Sequence, residues 1–348
     1  MSKVIVGIHG LKNKPSKRLL QKWWKKALKE GLRSIGHPRL FLRFELVYWA
    51  DYFYPEPLNH KIKEKDHPLY LDDPYFSSNG LVKEKKNRLR QKFLDYLEKQ
   101  MDGIFFNSDM SINFSGITDL IIRRFFRDLD TYYSKNCYDR HKQERPAKDV
   151  IRAELAGVLQ KHKNKDIMLI GHSMGSIIAY DVLTETVPDI KIHTFVTMGS
   201  PLGMPFIMSK NYDEQKKLLK KKILRNTTPE NVQKNWYNFS DLDDKVALNY
   251  NLGDDYDENS HRVKAIDKII YNDYIIDGER KPHKSYGYLR APEFSQVLWE
   301  FLTEGQPLWW TKWVDRMNRV FRPVRKKQKE KVKEKKRKKH FLQLKRKS

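Results

Sequence analysis

The chain has 348 residues, of which 39% are hydrophobic, and this length suits one elaborated domain with a substantial core or two small ones. It has no run of 18 or more apolar residues, which argues against a membrane-spanning helix. It also lacks the charged start and cleavage site of a secretory signal peptide. The single cysteine, Cys137, excludes an intrachain disulfide and a cysteine-based metal site, so we expect a soluble, cytoplasmic chain whose fold rests on packing.

The net charge of +25 is concentrated at the carboxyl terminus. Residues 322–348 contain 15 Lys or Arg and two Glu, so this segment alone carries +13. Such a run of like charges predicts a basic tail that has no fixed structure on its own.

Strand-like apolar runs recur along the chain and alternate with amphipathic helical patterns. The runs are Val4–Ile8, Leu42–Trp49, Ile167–Ile170, Ile192–Met198 and Trp236–Phe239. The helical patterns are one that follows an N-cap at Ser16 and ends near Leu32, one with Pro146 in its first turn that ends near His162, Gly175–Val187, and Pro292–Gly305. This alternation predicts an α/β fold, with a mostly parallel sheet covered by helices on both faces.

Residues 51–145 hold more chain than one connection needs. The stretch is rich in Tyr, Phe, Asp and Lys and has helical patterns at 82–101 and 117–133. We interpret it as an inserted, mainly helical cap over the active-site end of the sheet, because loops there usually carry specificity. Ordinary extra helices beside the core are the alternative.

The strongest chemical signal is the Gly-x-Ser-x-Gly sequence Gly171-His172-Ser173-Met174-Gly175. It follows a buried-strand run and leads directly into a helical pattern, and this order places a strained, exposed serine at the carboxyl end of a sheet. Side chains at Gly171 or Gly175 would strike the helix and strand that such a turn brings together. The motif therefore predicts that Ser173 is a nucleophile, and the alternative is a turn without chemistry.

A serine nucleophile needs an acid and a histidine base, which follow it in that order in this fold. Three carboxylates, Asp241, Asp243 and Asp244, come directly after the run that ends at Phe239. We predict that Asp244 is the acid, because the residues after it return apolar side chains to the core. Asp241 and Asp243 are alternatives that could simply cap the turn.

Three histidines follow the predicted acid: His261, His283 and His340. His340 lies in the basic tail. His283 lies in a loop directly before the last helical pattern, where the fold delivers its base, so we favour it over His261. His172 and His193 precede the acid and are expected to orient or pack locally.

The oxyanion that forms during acyl transfer needs preorganised N–H donors. One is the backbone N–H of the residue after the nucleophile, Met174. The sequence His9-Gly10-Leu11 ends the first strand-like run, and its glycine permits close approach, so we predict the N–H of Leu11 as the second donor. A plain turn is the alternative.

Together with the segment Thr197-Met198-Gly199-Ser200-Pro201-Leu202, these motifs resemble the lipase-like serine esterases of the α/β-hydrolase superfamily. The resemblance covers about residues 3–11 and 166–304. It implies an α/β-hydrolase fold and hydrolysis of an acyl ester through a covalent acyl-enzyme. The Thr-x-Gly-Ser-Pro segment is similar to one that lines the acyl pocket in lipases and in enzymes that deacylate glycosylphosphatidylinositol lipids, which implies a lining role for Ser200, Pro201 and Leu202.

The segment after Gly305 combines aromatic residues with basic ones. Trp309, Trp310, Trp313 and Phe321 share one helical face, and basic residues dominate the other. An aromatic-rich basic helix at 306–321 followed by a polybasic tail is typical of binding to an anionic membrane, so we expect peripheral attachment to the inner membrane face through residues 309–348. A last helix docked on the core is the alternative, and nonspecific nucleic-acid binding is a less favoured one.

The sequence thus predicts a hydrolase core that begins at residues 1–50 and resumes at 146–305. Its substrate would be an acyl ester, with an amidase, thioesterase or acyltransferase as rivals because they use the same triad. A non-catalytic binding protein that acts through its basic tail is the other rival. No metal-ligand pattern stands out, since the acidic stretch at 254–257 reads as a solvated loop, and we expect neither a metal nor a cofactor.

Overall fold

The computed structural model describes residues 2–78, 129–219, 225–247 and 251–306, together with Arg316. A six-stranded sheet forms the centre of this part of the chain. Its strands are β1 (Lys3–Ile8), β2 (Phe44–Val47), β3 (Asp166–His172), β4 (Ile192–Met198), β5 (Val232–Ser240) and β6 (Ala265–Ile269). They lie in the order β6-β5-β4-β3-β1-β2, and every neighbouring pair is parallel. The predicted α/β fold with a parallel sheet is confirmed.

The central strands are almost continuously apolar because helices cover both faces of the sheet. In β3, every residue from Ile167 to His172 is buried, and Ile167 to Ile170 are fully so. β1 lies beside β3 in register, with Ile5 opposite Met168 and Gly7 opposite Ile170. All six strands therefore end at one common edge.

In the described part of the chain, five helices of eight or more residues pack around the sheet. They are α1 (Lys17–Ser34), α2 (Ala147–Lys161), α3 (Met174–Asp181), α4 (Pro205–Leu219) and α5 (Pro292–Thr303). α1 and α5 bury their apolar sides in one core cluster with Ile5 and Met168, whereas α2 and α3 pack in a second cluster with Val4 and Ile167. The two clusters cover opposite faces, because side chains alternate along a strand.

The helix starts predicted from the sequence lie within one residue of the observed ones. Ser16 precedes α1 but makes no side-chain capping hydrogen bond, and Pro146 precedes α2 rather than lying inside its first turn. α3 begins at Met174 and changes at Val182 into a π-helical turn that ends at Thr186.

Shorter elements join these strands and helices. Helical turns occur at Ala50–Tyr52, Leu252–Asp255 and Ser285–Tyr288, and small strand pairs join Asn136–Tyr138 to Glu144–Pro146, Asn226–Thr227 to Tyr256–Asp257, and Ile275–Ile276 to Glu279–Arg280. The turn at Ser285–Tyr288 matters most for the site, because it begins two residues after His283.

The sequence did not predict β6. This strand lies at the edge of the sheet, and its residues Ile266 and Ile269 are 43% and 41% exposed. An edge strand with one partner needs no continuous apolar run, and its sequence, Ala265-Ile266-Asp267-Lys268-Ile269, mixes apolar and charged residues. The usual signal of a buried parallel strand is therefore missing.

Much of the predicted cap, including all of its helical pattern at 82–101, lies outside the described residues. Of the pattern at 117–133, the described part is helical from 129 to 134. Residues 51–78 pack beside α1 and the loop that follows His283, where the Tyr75 hydroxyl donates to Glu30 and Lys284 pairs with Asp73 at 2.8 Å.

The aromatic residues at 309–321 and the basic tail also lie outside the described residues. Within the described residues, no helix has both the length and the apolar character to cross a membrane.

A buried ion network joins α2, α3, α4 and the π-helical turn. The Arg152 guanidinium, with its side chain 8% exposed, lies 2.7 Å from carboxylate oxygens of both Asp181 and Glu185 and 3.7 Å from Glu214. Lys148 Nζ lies 2.5 Å from the other oxygen of Glu214. The three carboxylates could group around a metal ion, but in this network the Arg152 and Lys148 cations already pair with them.

Candidate active site

The residues predicted to be catalytic follow different strands of the sheet and meet at its carboxyl edge. Ser173 comes directly after β3 and has φ 55° and ψ −131°, a conformation that residues with a side chain rarely adopt. Its amide donates a hydrogen bond to the carbonyl of Met198 at the end of β4. This strained turn between strand and helix is the geometry of a nucleophile elbow.

Close backbone packing explains the glycines of the elbow. A Cβ atom at Gly175 would lie 2.5 Å from the carbonyl oxygen of Ile8, and one at Gly171 would lie 2.7 Å from Ser176 Cα. Both neighbours are main-chain atoms that cannot move aside cheaply. The start of α3 can therefore lie directly against β1 and the end of β3 only because these two positions carry no side chain.

Ser173, His283 and Asp244 form a continuous chain of hydrogen bonds. Ser173 Oγ lies 2.9 Å from His283 Nε2, and His283 Nδ1 lies 2.8 Å from Asp244 Oδ2 and 2.9 Å from Asp244 Oδ1. Since a carboxylate only accepts, Nδ1 carries the proton and Nε2 is free to accept the one on Ser173. This is the relative arrangement of a nucleophile, a general base and an orienting acid.

Asp244 is fully buried yet is held in its ionised form. Burial by itself would raise the pKa of this carboxyl, but the charge and hydrogen bond of His283 bring it below its ordinary value. The backbone N–H of Val246 donates to Oδ1 at 2.9 Å, and the hydroxyl of Tyr288 donates to Oδ2 at 2.7 Å. The acid therefore keeps the negative charge that would stabilise an imidazolium.

The structure brings Asp244 to His283 and places the alternative residues elsewhere. Asp241 accepts a hydrogen bond from the backbone N–H of Asn272 at 2.6 Å and pairs with Arg280, which also contacts Asp243. These two carboxylates support the loop beside the site. His261 Nε2 lies 3.1 Å from a Gln233 side chain on the exposed surface, and His340 lies outside the described residues.

His9 holds the predicted oxyanion loop in place. Burial lowers the pKa of His9 to about 3, so its ring is neutral, and Nδ1 donates to the carbonyl of Gly10 at 2.7 Å while Nε2 accepts from the backbone N–H of Trp49 at 3.2 Å. In a trans peptide the C=O and the following N–H point in opposite directions. The hydrogen bond that directs the Gly10 carbonyl toward His9 thus turns the Leu11 N–H the other way.

The predicted oxyanion loop also lies directly against Ser173. A Cβ atom at Gly10 would come within 2.7 Å of Ser173 Cβ and 3.1 Å of its Oγ. Met174, whose N–H is the other predicted donor, is the first residue of α3 and is fully buried. The two predicted donors therefore belong to segments that converge on Ser173.

Two further side chains support Ser173, His283 and Asp244: His172, which was expected to orient or pack locally, and Tyr288, which sequence reasoning missed. His172 is buried, which lowers its pKa well below the usual value, and its Nε2–H donates to the carbonyl of His283 at 2.9 Å. Tyr288 is fully buried and, besides donating to Asp244, accepts the backbone N–H of Asp241 at 3.0 Å. The signal that could have found it is its position, five residues after His283 in the loop before the last helix.

The residues predicted to line an acyl pocket follow β4 beside Asp244 and His283. A Cβ atom at Gly199, where φ is 52°, would lie 2.7 Å from Asp244 Oδ2 and 3.2 Å from His283 Nδ1. Ser200, Pro201 and Leu202 come next, and all three are buried. Leu202 packs in the same cluster as Met174.

Residues 118–270 match the family model of the PGAP1-like alpha/beta domain. The matched range contains Ser173 and Asp244 and ends before His283. No curated protein matches the chain. The family match and the parallel sheet together support an α/β-type hydrolase domain similar to those of lipases and esterases.

In a hydrolysis assay, Tyr288→Phe is expected to lower kcat at least about tenfold, because a hydrogen bond to a charged group contributes about 1.5–3 kcal/mol. With one donor fewer, the pKa of Asp244 rises, so the loss of activity on acidification should begin at a higher pH. The measurement is kcat against pH. Tyr286→Phe is the control, since Tyr286 is equally buried in the same turn but packs against Tyr75 and Tyr274. An unchanged acidic limb in Tyr288→Phe would show that the hydroxyl does not act through the acid.

Proposed function

We propose that this protein is a serine hydrolase that cleaves carboxylic esters, with a lipid acyl ester as the substrate class, through a covalent acyl-enzyme. The observation that carries the proposal is the hydrogen-bonded series from Ser173 Oγ through His283 to Asp244. The strained conformation of Ser173 and its place at the start of a helix support the same assignment.

In the proposed reaction, Ser173 Oγ attacks the ester carbonyl carbon while His283 Nε2 takes the hydroxyl proton. The oxyanion accepts hydrogen bonds from the N–H groups of Leu11 and Met174. Collapse of the tetrahedral intermediate breaks the bond to the alkoxy group, which leaves as an alcohol with the proton from His283. Water then attacks the acyl-enzyme by the same steps and releases the carboxylic acid and free Ser173.

Asp244 has a separate task in this mechanism. It keeps the proton of neutral His283 on Nδ1, and its charge stabilises the imidazolium that forms when Nε2 takes the serine proton. The carboxylate is fully buried, which strengthens this interaction relative to water.

Labelling with a fluorophosphonate, which reacts with activated serines, tests the chemistry. We expect the full chain to be labelled and Ser173→Ala to be inert, whereas Ser260→Ala, which removes an exposed serine far along the chain, should label normally. Labelling that persists in Ser173→Ala would overturn the assignment. A folded, unlabelled full chain would favour a non-catalytic binding protein instead. Matched ester, amide and thioester substrates would then separate esterase from amidase and thioesterase activity.

We extend the proposal to attachment at an anionic membrane through residues 309–348. Support comes from composition, since basic residues accompany Trp309, Trp310, Trp313 and Phe321 and then dominate the tail. Amphipathic basic segments of this kind bind anionic lipid by combining apolar insertion with charge attraction.

A further inference from the structure

The exposed side of α1 carries a row of cations. Its apolar side is buried, with Trp24, Ala27 and Leu28 fully so. The exposed side chains of the helix include Lys17, Arg18, Lys22, Lys26 and Arg33. The helix has 18 residues, so this cationic face extends for about 27 Å.

The cations of α1 are not balanced by acids on the same helix. Glu30 is its only acidic residue, and that carboxylate accepts from the Tyr75 hydroxyl and from the Ser78 amide. Partial burial, followed by the charges of Lys25 and Arg33, lowers the pKa of Lys29. The helix therefore presents concentrated positive charge to solvent.

An apolar protrusion lies beside this face. In the loop between α1 and β2, Leu40 is 47% exposed and Phe41 is 91% exposed. Lys29 donates a hydrogen bond to the carbonyl of Leu40, which ties the loop to the helix. An exposed phenyl ring costs free energy in water and gains it when transferred to an apolar phase.

We propose that α1 and the loop at Leu40–Phe41 form a docking surface for an anionic lipid bilayer. The cations of α1 would contact lipid phosphates, and Phe41 would insert between acyl chains. In the interfacial region of a membrane, a layer of charged headgroups covers the apolar acyl chains. A protruding aromatic and aliphatic pair beside a cationic helix can contact both layers at once. A nucleic acid would use the cations but offers no apolar layer for Leu40 and Phe41.

This proposal is independent of the catalytic one and uses residues outside the carboxyl-terminal segment. α1 lies on one face of the sheet, whereas Ser173 lies at the carboxyl edge. Leu40 and Phe41 precede β2 and therefore lie at the opposite, amino edge, so a bilayer against the outer side of α1 would leave the carboxyl edge uncovered.

Insertion is tested with an environment-sensitive dye attached to F41C in the full chain. The native Cys137 is buried, and the background labelling of this residue by the dye is measured in the unsubstituted protein. The control is S260C, at an exposed position shortly before β6 at the opposite side of the sheet from β2. Vesicles are phosphatidylcholine with or without phosphatidylserine, and a second set carries nitroxide-labelled acyl chains.

We expect the dye in F41C to shift to shorter wavelength and to be quenched by the nitroxide on anionic vesicles only. The dye in S260C should show neither effect. If F41C stays unresponsive while the protein co-sediments with anionic vesicles, binding occurs through the carboxyl-terminal segment and the docking surface is wrong. An equal dye shift on duplex DNA without lipid would also overturn it, in favour of a nucleic-acid surface.

The charge component is tested by K22E/K26E against K216E/K264E, which makes the same change in net charge at exposed positions away from α1. The first pair should weaken the partition onto anionic vesicles at least about tenfold, and the second should change it much less. Hydrolysis of a water-soluble ester should be equal in both, which separates docking from catalysis. If both pairs weaken the partition onto anionic vesicles equally, the weakening depends only on net charge, and the assigned surface is wrong.

Discussion

Asp244→Asn is expected to lower kcat for ester hydrolysis by about 10⁴-fold. The carboxylate accepts the Nδ1 proton of His283 at 2.8 Å, and this contact sets the tautomer in which Nε2 can accept the Ser173 proton. An asparagine amide can donate to Nδ1 instead, and the imidazole would then carry its proton on Nε2, facing the serine. Without the negative charge, the imidazolium also loses its stabilising partner. The measurement is steady-state turnover of a soluble ester, together with the rate of fluorophosphonate labelling.

Asp243→Asn is the matched control for this substitution. Asp243 lies one residue earlier, but its carboxylate contacts Arg280 and its side chain is 40% exposed. We expect kcat to stay within about threefold of the original value, because an exposed ion pair contributes little. A large loss in Asp243→Asn with little loss in Asp244→Asn would reverse the assignment of the acid.

Arg152→Met is expected to lower the free energy of unfolding by about 3–5 kcal/mol. The substitution leaves the Asp181, Glu185 and Glu214 carboxylates together in the interior without the cation that lies between them. Burial already raises the pKa of Asp181, and the loss of the guanidinium would raise it further. A carboxyl with a raised pKa in the folded state destabilises as pH rises above its unfolded value. The deficit should therefore be greatest near neutral pH and shrink on acidification, as measured by urea denaturation at several pH values.

Arg140→Met is the control for the buried network. Arg140 also pairs with a carboxylate of α2, that of Glu154, at 2.7 Å, but the Arg140 side chain is 53% exposed. A loss of about 1 kcal/mol or less is expected for such a pair. Equal losses in the two variants would mean that burial of the Arg152 network adds nothing to stability.

Residues close together in sequence account for most of what could be predicted. The run from Asp166 to Tyr180 contains its own strand, turn and helix, so the elbow at Ser173 is visible locally, and β4 is observed at its predicted bounds, Ile192–Met198. Apolar runs mark the buried strands because both faces of each must be covered. β6 escaped prediction because an edge strand does not require such a run.

The amino-acid sequence by itself determined the parallel α/β architecture, the position of the turn at Ser173 and the small set of carboxylates and histidines that could serve it. Only the tertiary structure decided that Asp244, rather than Asp241 or Asp243, contacts a histidine 39 positions away, and that this same histidine lies 110 positions from Ser173. It also showed that Tyr288 and His172 hold the acid and the base. The reason is physical. A local pattern indicates which face of a helix or strand is buried. Hydrogen bonds between side chains on different loops depend instead on how the whole sheet brings those loops together at its carboxyl edge.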